Sequence, residues 1–467
     1  MDIASVIEEL KGIVGPEHVL TSPEDLFLYE YDASLDRGQP HAVVLPGSAE
    51  EVAAVVRLAH ERGIPVTPRG AGTNLSGGSV PARGGIVLAI NRLNRILEVD
   101  LPNRCAWVEP GVFNLTLQKA LAPHGYLYAP DPASQKVSTL GGNVGENSGG
   151  PHCLKYGVTM NHVLGMELVL PDGEMVRFGG QAPDMPGYDL TGLIVGSEGT
   201  LGIATKILVR IMPQPEGVRT LLALFDDLTA AGRTVSAIIA AGIIPATLEM
   251  MDSTVIQAVE RATHAGLPLD VAALLIIEVD GLEDELDSQA EAIVAICQRE
   301  GAREVRAAQN QAERDHLWAS RRGAFGALGQ LMPNYLVLDG TVPRTRLPEA
   351  LERVAEVGRR HNLPVGDVFH AGDGNLHPLI LFDPREPGIM ERVRAAGAEI
   401  LQVCADLGGT ITGEHGIGLE KISAMPLIFG PADLEAMRAV KRAFDPAELM
   451  NPGKILPPIQ VPSEAMT

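Results

Sequence analysis

The chain has 467 residues, of which 45% are hydrophobic and only 4% aromatic, and it carries a formal net charge of −22. This length predicts two or three domains with aliphatic cores. The acidic balance argues against nucleic acid or an anionic membrane surface as a partner. The N-terminal segment does not resemble a signal or transit peptide, and no apolar run is long enough to span a bilayer. These features favour a soluble, cytoplasmic protein.

The cysteines do not form a metal-binding or disulfide pattern. Cys105, Cys153, Cys297 and Cys404 are far apart, and no two of them make a C-x-x-C pair. This spacing excludes the usual zinc-ribbon and iron–sulfur ligand patterns. Because no disulfide framework is indicated, a reducing compartment is favoured.

The first part of the chain is predicted to contain a phosphate-binding loop. A helix over residues 3–14 and an irregular arm make a first segment, 1–37. The next elements form a β-α-β unit: a strand at 42–46, a helix from Ser48 to Gly63 and a strand at 64–67. Residues 68–79 then combine four glycines with small polar residues, so their backbone N–H groups can converge on an anion. The loop matches neither the Walker A nor the Rossmann pattern.

Two further glycine clusters follow. Short strands near 86–89, 96–99 and 106–109 and a helix from Asn114 lead to the second cluster, at 130–151. The third, at 196–203, precedes a strand. Three clusters predict one large ligand held by backbone over much of its length. We group residues 38–217 as one domain.

Beyond Gly217 the pattern changes to β-α-β-β-α-β, which is typical of a ferredoxin-like α+β domain. We predict a cap or substrate domain over residues 218–412. Further helices are expected at 347–361, 385–406 and 426–444. A C-terminal segment, 413–467, is expected to return to the first domain.

Three histidines are candidates for the chemistry. His370 and His377 flank Gly-Asp-Gly-Asn, a turn sequence between two strand-like runs. Glu414 and His415 lie in a later glycine-rich bend. Two imidazoles and a carboxylate can form a three-ligand divalent site with open positions, which is typical of catalytic metals. The alternative is that these histidines are core or capping residues.

The motifs around these residues resemble a known family. The three glycine clusters are similar to the FAD-binding domain of the vanillyl-alcohol oxidase/p-cresol methylhydroxylase (PCMH) superfamily. The segments 369–378, 412–418 and 451–454 resemble its D-2-hydroxyacid dehydrogenase branch. Within that branch, residues 317–325 and 338–344 are most similar to the flavin-bearing subunit of glycolate oxidases. The resemblance extends from about residue 43 to 456. It implies an α+β fold, in which a PCMH-type FAD-binding domain of two α+β subdomains is joined to a ferredoxin-like α+β cap.

The resemblance implies bound FAD. Some superfamily members tether FAD through a histidine in the first loop, but this loop has none, so non-covalent FAD is favoured. The implied FAD contacts are Pro68, Arg69, Gly70, Ala71, Gly72, Thr73, Asn74, Gly77, Gly78, Ser79, Pro132, Ser134, Gly141, Gly142, Asn143, Ser148, Gly149, Glu198, Gly199, Thr200, Gly202, Ile203 and Asn451. For Asn451 a purely structural role in a turn is an equal alternative.

The resemblance also implies roles in catalysis. Residues matching His370, His377 and Glu414 bind a divalent metal, often zinc, with Fe²⁺ and Mn²⁺ as alternatives. A residue matching His415 is the base, which suits an imidazole near its ordinary pKa. Arg321 is expected to bind the substrate carboxylate bidentately, although the adjacent Arg322 is an alternative. The flavin accepts the hydride at N5.

Substrate and partners follow from the same resemblance. D-2-hydroxyglutarate dehydrogenases have polar contacts where this chain has Phe325 and Val337, so a small monocarboxylate such as glycolate or D-lactate is favoured. No fused iron–sulfur domain is present, which implies a separate acceptor. We expect the electron acceptor to be an iron–sulfur partner subunit, a quinone or a cytochrome. Attachment to the membrane periphery through a partner and assembly as a homodimer are both left open. The alternatives are a stand-alone D-lactate or D-2-hydroxyglutarate dehydrogenase and a catalytically idle flavin-binding subunit.

Overall fold

The computed structural model describes residues 3–182 and 186–458. The end of the expected C-terminal segment, 459–467, lies outside the described residues. Within the described ranges, none of the helices has the length and apolarity needed to cross a membrane.

The first unit is a four-stranded sheet with helices. Its elements are α1 (Ile3–Val14), β1 (Val19–Leu20), α2 (Pro23–Phe27), β2 (Ala42–Val44), α3 (Ala49–Arg62), β3 (Val66–Arg69) and β4 (Ile86–Ala89). The strand order is β1-β2-β4-β3, with β2, β4 and β3 parallel. Ser48 begins α3 by accepting the N–H of Glu51, and Gly63 ends it in the left-handed conformation. These bounds confirm the predicted helix.

The second unit is a five-stranded antiparallel sheet with order β5-β6-β10-β8-β9. Its elements, with those of a small β7–β11 pair, are β5 (Ile96–Asp100), β6 (Cys105–Val108), α4 (Asn114–Leu121), β7 (Tyr126–Leu127), α5 (Leu140–Glu146), α6 (Cys153–Tyr156), β8 (Val163–Val169), β9 (Met175–Gly179), α7 (Leu190–Ile194), β10 (Ile203–Arg210) and β11 (Met212–Pro213). Part of the second glycine cluster is therefore the helix α5. Thr139 begins it by accepting the N–H of Gly142.

The third unit is a seven-stranded sheet of order β15-β12-β14-β13-β17-β18-β16. Its elements and the C-terminal helix are β12 (Gly217–Phe225), α8 (Leu228–Ala240), β13 (Thr247–Asp252), α9 (Ser253–Thr263), β14 (Ala273–Gly281), α10 (Glu283–Arg299), β15 (Ala302–Ala307), α11 (Gln311–Arg322), α12 (Ala324–Leu328), β16 (Asn334–Val337), α13 (Leu347–Arg360), β17 (Val365–His370), β18 (Pro378–Phe382), α14 (Ile389–Asp406) and α15 (Pro431–Phe444). Because β14 lies between β12 and β13, the first β-α-β unit is split, as in a ferredoxin-like domain. The mixed fold confirms the predicted α+β class.

Two of the predicted helices have different bounds in the structure. The helix expected over 385–406 begins at Ile389, after Gly388 in the left-handed conformation with φ of 73°. The single helix expected over 426–444 is a 3₁₀ helix, Ile422–Leu427, followed by α15. Pro431 occupies the first turn of α15, where a missing N–H costs little. The break between the two helices lies at Gly430 and the residues before it.

The C-terminal segment packs against the first sheet. The N–H of Val66 donates to Leu449 O at 2.8 Å, and the N–H of Asn451 donates to Val66 O at 2.7 Å. Met450 is buried among the apolar residues of α1, α3 and the first sheet. The end of the chain thereby lies beside β3, the strand that leads into the first glycine-rich loop.

Candidate active site

A cavity of about 1010 Å³ connects the first glycine-rich loop with the imidazole cluster. Most of the expected FAD contacts line it. These are Pro68, Arg69, Gly70, Ala71, Gly72, Thr73, Asn74, Gly78, Ser79, Pro132, Ser134, Gly141, Gly142, Asn143, Ser148, Gly149, Glu198, Gly199, Gly202 and Ile203. Gly77, Thr200 and Asn451 are not part of the wall. A cavity of this size and composition is suited to a large cofactor.

Asn451 connects two loops behind the cavity wall. Its Nδ2 donates to Gly78 O at 2.8 Å and to Glu198 O at 2.7 Å. Both acceptors belong to glycine-rich loops of the wall. Asn451 therefore fixes the position of the first loop relative to the third.

The first glycine-rich loop is held by internal and interloop contacts. The Asn74 Oδ1 accepts the N–H of Ser76 at 2.9 Å and the N–H of Gly78 at 2.7 Å. Gly70 lies against the second cluster, since a Cβ there would be 2.3 Å from Thr139 Oγ1. The close approach of the two loops requires glycine at this position.

The N-terminal arm covers this loop, which the sequence did not predict. Arg69 Nη1 donates to Tyr31 O at 2.8 Å, and its guanidinium lies 5.4 Å from the Tyr29 ring centroid. Asp32 Oδ2 lies 3.4 Å from the N–H of Ser79. The Arg69 guanidinium is therefore partly occupied by the arm. The arm carries no motif, so only the tertiary structure reveals its role.

The three candidate metal ligands meet at one carboxylate oxygen. Glu414 Oε1 lies 3.2 Å from His370 Nε2 and 3.3 Å from His377 Nε2. In a tetrahedral zinc site with ligands at 2.0–2.1 Å, neighbouring ligand atoms are about 3.3 Å apart. Both ring nitrogens of His377 are buried and have no hydrogen-bond partner among the described residues, although two carboxylates lie within 3.4 Å of Nε2. These residues could hold a divalent ion.

Glu249 orients the first of these ligands. It lies directly opposite His370 in the pairing of β13 with β17, and its Oε1 is 2.7 Å from His370 Nδ1. This contact leaves Nε2 facing Glu414, as in a carboxylate–histidine–metal arrangement. Burial alone would lower the pKa of His370, but the Glu249 and Glu414 carboxylates raise it well above its ordinary value.

Arg321 shares Glu249 with that histidine. Its Nε donates to Glu249 Oε2 at 2.7 Å, and its Nη2 lies 2.6 Å from the same oxygen. Arg322 is exposed, with its guanidinium 5.3 Å from the Trp318 ring centroid. Both arginines line the cavity, so the structure brings both of the alternative carboxylate partners to the site. Glu249 could have been noticed in the sequence, because it is the single glutamate of the largely apolar strand β13.

Asp339 fixes the loop that carries His415. It is fully buried, and its Oδ2 accepts the N–H of Gly413 at 3.0 Å and that of His415 at 2.8 Å. The ammonium group of the buried Lys421 lies 3.4 Å from the same oxygen. The sequence does not predict the roles of Asp339 and Lys421. Asp339 belongs to the Leu-Asp-Gly-Thr motif that follows β16, but the motif alone does not show which loop it holds.

His415 lies beside the cluster and is held in the neutral form. Its ring stacks on that of His377 with centroids 4.9 Å apart, and its Nε2 is 3.9 Å from Glu414 Oε1. Burial lowers the pKa of His415 to about 4, although the Asp339 carboxylate opposes this shift. The expectation of a near-ordinary pKa was therefore wrong, because the ring is removed from water. A neutral imidazole can accept a proton.

The end of the cavity near the imidazoles has an apolar wall. Phe325, Tyr335 and Val337 line it, together with His377. The Phe325 ring centroid is 6.5 Å from that of His377 and 6.4 Å from that of Tyr335. This wall offers no charged group to a second carboxylate.

Comparisons with known proteins agree with this geometry. The family described as "FAD binding domain" matches residues 40–179, and "FAD linked oxidases, C-terminal domain" matches 214–455. Among solved structures, p-cresol methylhydroxylase with substrate bound has a TM-score of 0.81 at 18% identity, covering 97% of this chain and 96% of that one. The 4-ethylphenol oxidase from Gulosibacter chungangensis has a TM-score of 0.81 at 20% identity, with 97% of each chain covered. The solved structures show that the fold is shared, and the family matches define an FAD-linked oxidoreductase.

Other relatives are more similar to this chain in sequence than these solved structures are. Glycolate oxidase subunit GlcD of Escherichia coli K12 is 46% identical over 98% of this chain and 92% of its own length. GlcD of Bacillus subtilis 168 is 44% identical over 96% of each. The D-lactate dehydrogenase of Anaerostipes hadrus is 34% identical over 96% of this chain and 97% of that protein. The chain belongs to the family of FAD-linked oxidases that contains these relatives.

Proposed function

We propose that the protein oxidises a small 2-hydroxy acid, glycolate or D-lactate, to the 2-oxo acid with the help of a divalent metal. The observation that carries this proposal is the convergence of His370, His377 and Glu414 beside the largely buried, neutral His415. Relatives named glycolate oxidase subunit and D-lactate dehydrogenase support the substrate class.

Each residue has a role in this proposal. His370, His377 and Glu414 would hold the metal, with zinc favoured and Fe²⁺ or Mn²⁺ as alternatives. A metal bound there supplies a Lewis acid that lowers the pKa of the substrate hydroxyl. His415 accepts the hydroxyl proton at a ring nitrogen. Bound non-covalent FAD supplies the hydride acceptor, its N5.

Arg321 orients the substrate through its carboxylate. Its Nε and Nη2 are occupied by Glu249, so the remaining part of the guanidinium is available to the substrate. The pairing with Glu249 holds the guanidinium rigidly, which favours a fixed orientation of the bound acid. Arg322, at the exposed side of the cavity, is the alternative partner.

The apolar wall supports a small monocarboxylate. Phe325 and Val337 stand next to the imidazole cluster, where a dicarboxylate would need a polar partner for its second charge. Burying that charge without a partner is unfavourable. Glycolate or D-lactate fits this wall, in a multi-subunit or a stand-alone enzyme. D-2-hydroxyglutarate would have to direct its second carboxylate away from Phe325 and Val337, toward Arg322 or the Tyr335 hydroxyl.

We further propose a non-nicotinamide electron acceptor. The relatives called glycolate oxidase subunits support a multi-subunit enzyme. Because these relatives are named as subunits, a partner is expected, and an iron–sulfur subunit that delivers electrons to a quinone or cytochrome would serve. Such a partner would hold this cytoplasmic protein at the periphery of the membrane. A homodimer is an open alternative for assembly. Purification of the protein from its native host, followed by identification of co-purifying subunits, separates a multi-subunit from a stand-alone enzyme.

The test is turnover with an artificial electron acceptor dye. The FAD-loaded protein is mixed with glycolate, D-lactate, L-lactate or D-2-hydroxyglutarate, and the 2-oxo acid is quantified before and after chelation. Formation of glyoxylate or pyruvate from glycolate or D-lactate, lost on chelation and restored by metal, is the expected result. No product from any of the four acids would support the catalytically idle alternative.

A further inference from the structure

His152 lies at the boundary between the cofactor cavity and the cap, and neither the sequence motifs nor the proposed chemistry uses it. It directly precedes α6, and its Nδ1 is 2.8 Å from Asp131 Oδ2. Asp131 lines the main cavity beside Pro132, an expected FAD contact. A Cβ at Gly150 would lie 2.6 Å from Asp131 O, so these two segments meet where only glycine fits. His152 is thereby fixed to the cofactor side of the cavity.

The same imidazole reaches the helix that carries the proposed substrate arginine. Its ring stacks on that of Trp318, with centroids 6.0 Å apart and an angle of 22° between the planes. Trp318 belongs to α11, one turn before Arg321 and Arg322, and all three line the cavity. Aromatic pairs of this geometry are favourable beyond the area that they bury. His152 therefore connects the cofactor wall with the helix expected to bind the substrate carboxylate.

Glu278 holds α11 on the sheet at the point that His152 reaches. Its Oε2 accepts from Trp318 Nε1 at 2.9 Å and from Arg314 Nε at 2.8 Å. Its Oε1 accepts from Arg314 Nη2 at 2.7 Å and lies 3.8 Å from His152 Nε2. Two side chains of α11 are thus anchored on β14, and the indole that meets His152 has a fixed orientation.

The imidazole of His152 is positively charged. Burial lowers its pKa, but the carboxylates of Asp131 and Glu278 raise it to about 10. An imidazolium carries a proton on both ring nitrogens. One N–H group therefore faces Asp131 in the cofactor wall, and the other is directed toward Glu278 in the cap.

The rest of α6 contacts the same strand of the cap. Lys155 Nζ donates to Asp280 O at 2.5 Å, and the Tyr156 hydroxyl donates to Asp280 Oδ2 at 2.7 Å. Asp280 follows Glu278 by two residues in β14, so both side chains point to the same face of the sheet. Neither of these bonds involves α11, and they therefore offer a control for His152.

We propose that His152 is a positioning residue that holds α11, with its carboxylate-binding arginine, at a fixed place relative to the FAD-binding wall. The cofactor wall and α11 belong to different units of the chain, and hydride transfer depends steeply on the distance between the reacting atoms. His152 fixes the two units at this point because it contacts Asp131 of one and Trp318 of the other. The inference rests on the proposed function for the role of Arg321.

The test is flavin reduction in the FAD- and metal-loaded holoenzyme, followed by stopped-flow absorption with the hydroxy acid that the wild type oxidises. His152→Phe keeps an aromatic ring but loses both N–H groups and the charge. Its limiting rate of reduction should fall roughly 10- to 100-fold, because a small displacement of the substrate from the flavin slows the transfer steeply. Its FAD and metal contents should equal those of the wild type.

Tyr156→Phe is the matched control. It removes a hydrogen bond between the same segment and the same strand, and its rate of reduction should equal that of the wild type. A rate loss as large as that of His152→Phe would overturn the proposal, because it would indicate a general loosening of the boundary. Equal rates of the wild type and His152→Phe would overturn it as well.

Thermal unfolding of each holoenzyme shows whether a variant is folded. Asp131 keeps 13% of its side-chain surface exposed, so water can solvate it once the imidazole is gone. His152→Gln replaces His152→Phe if that variant does not fold. It keeps a donor for Asp131 but has no ring for Trp318 and no charge, so the same loss of rate is expected.

Oxalate binding gives a readout that does not need turnover. Oxalate offers carboxylates to a metal and an arginine but has no hydride to transfer, and flavin absorption reports its binding to the same holoenzymes. It should bind His152→Phe more weakly than the wild type or Tyr156→Phe. Oxalate that does not bind the wild type, or that binds wild type and His152→Phe equally, would overturn the proposal. A wild type that no hydroxy acid reduces would contradict the proposed function, while the oxalate comparison would still decide the role of His152.

Discussion

Replacing Glu249 by Gln tests the link between Arg321, the proposed partner of the substrate carboxylate, and the proposed metal site. The Glu249 carboxylate accepts from His370 Nδ1 at 2.7 Å through one oxygen and from Arg321 Nε at 2.7 Å through the other. Gln has only one acceptor. If its NH₂ group faced Arg321, a buried guanidinium would lose its partner, at a cost of about 3–5 kcal/mol.

The amide oxygen is therefore expected to face Arg321, with the NH₂ group facing His370. His370 Nδ1 must then act as acceptor, which places the ring proton on Nε2, the atom that faces Glu414. A protonated Nε2 cannot bind a metal. Loss of such an outer contact reduces metal affinity about 10- to 100-fold, which corresponds to about 1.4–2.8 kcal/mol.

The assay is equilibrium dialysis of wild type and Glu249→Gln against buffered Zn²⁺ or Mn²⁺, with metal content read by mass spectrometry. Glu399→Gln is the control, because Glu399 also lies 2.8 Å from a histidine nitrogen, that of His361, but is not part of the cavity wall. The control should bind metal like the wild type. A folded Glu249→Gln protein with unchanged metal affinity would refute the reasoning.

Three further predictions concern the proposed base, the loop that carries it, and the loss of stability at acid pH. His415→Ala should retain FAD but slow flavin reduction about 10²- to 10⁴-fold in stopped-flow experiments, and a smaller effect would remove it as the base. Asp339→Asn should lower the free energy of unfolding in urea by about 3–5 kcal/mol, because Lys421 loses its buried partner; an unchanged midpoint contradicts this. Burial would raise the pKa of Glu278, but hydrogen bonds from Arg314 hold it far below its ordinary value. Its stabilisation is therefore present above about pH 4.3 and declines as the pH falls further. We therefore compare melting temperatures at about pH 5 and about pH 3, roughly one unit either side of the free carboxyl pKa. The melting temperature of Glu278→Gln should fall less between these two pH values than that of the wild type, and an equal fall would be inconsistent with this.

Local sequence patterns predicted the elements that depend on near neighbours. Ser48 and Gly63 marked the two ends of α3, and the order of strands and helices beyond Gly217 indicated the ferredoxin-like unit. His370 and His377 could be placed together because one short turn joins the end of β17, which carries His370, to the start of β18, which His377 directly precedes.

Contacts between distant parts of the chain could not be predicted in this way. Glu249 reaches His370 only because β13 pairs with β17, and the two residues are 121 positions apart. Tyr31 reaches Arg69 from an arm that has no periodic pattern. The low pKa of His415 likewise depends on how deeply the folded chain buries it. Sequence therefore pointed to the candidate ligands and the candidate base, whereas the residues that orient them required the structure.

Anaerobic reduction of the bound flavin tests the central claim most directly. The FAD-loaded protein is mixed with D-lactate, L-lactate or glycolate without any acceptor, and flavin absorption is followed in metal-loaded, chelated and His377→Ala samples. We expect bleaching by glycolate or D-lactate in the metal-loaded wild type alone, with slow or no bleaching by L-lactate. Equal bleaching after chelation, or in a His377→Ala protein shown to lack metal, would contradict metal-assisted oxidation at this site.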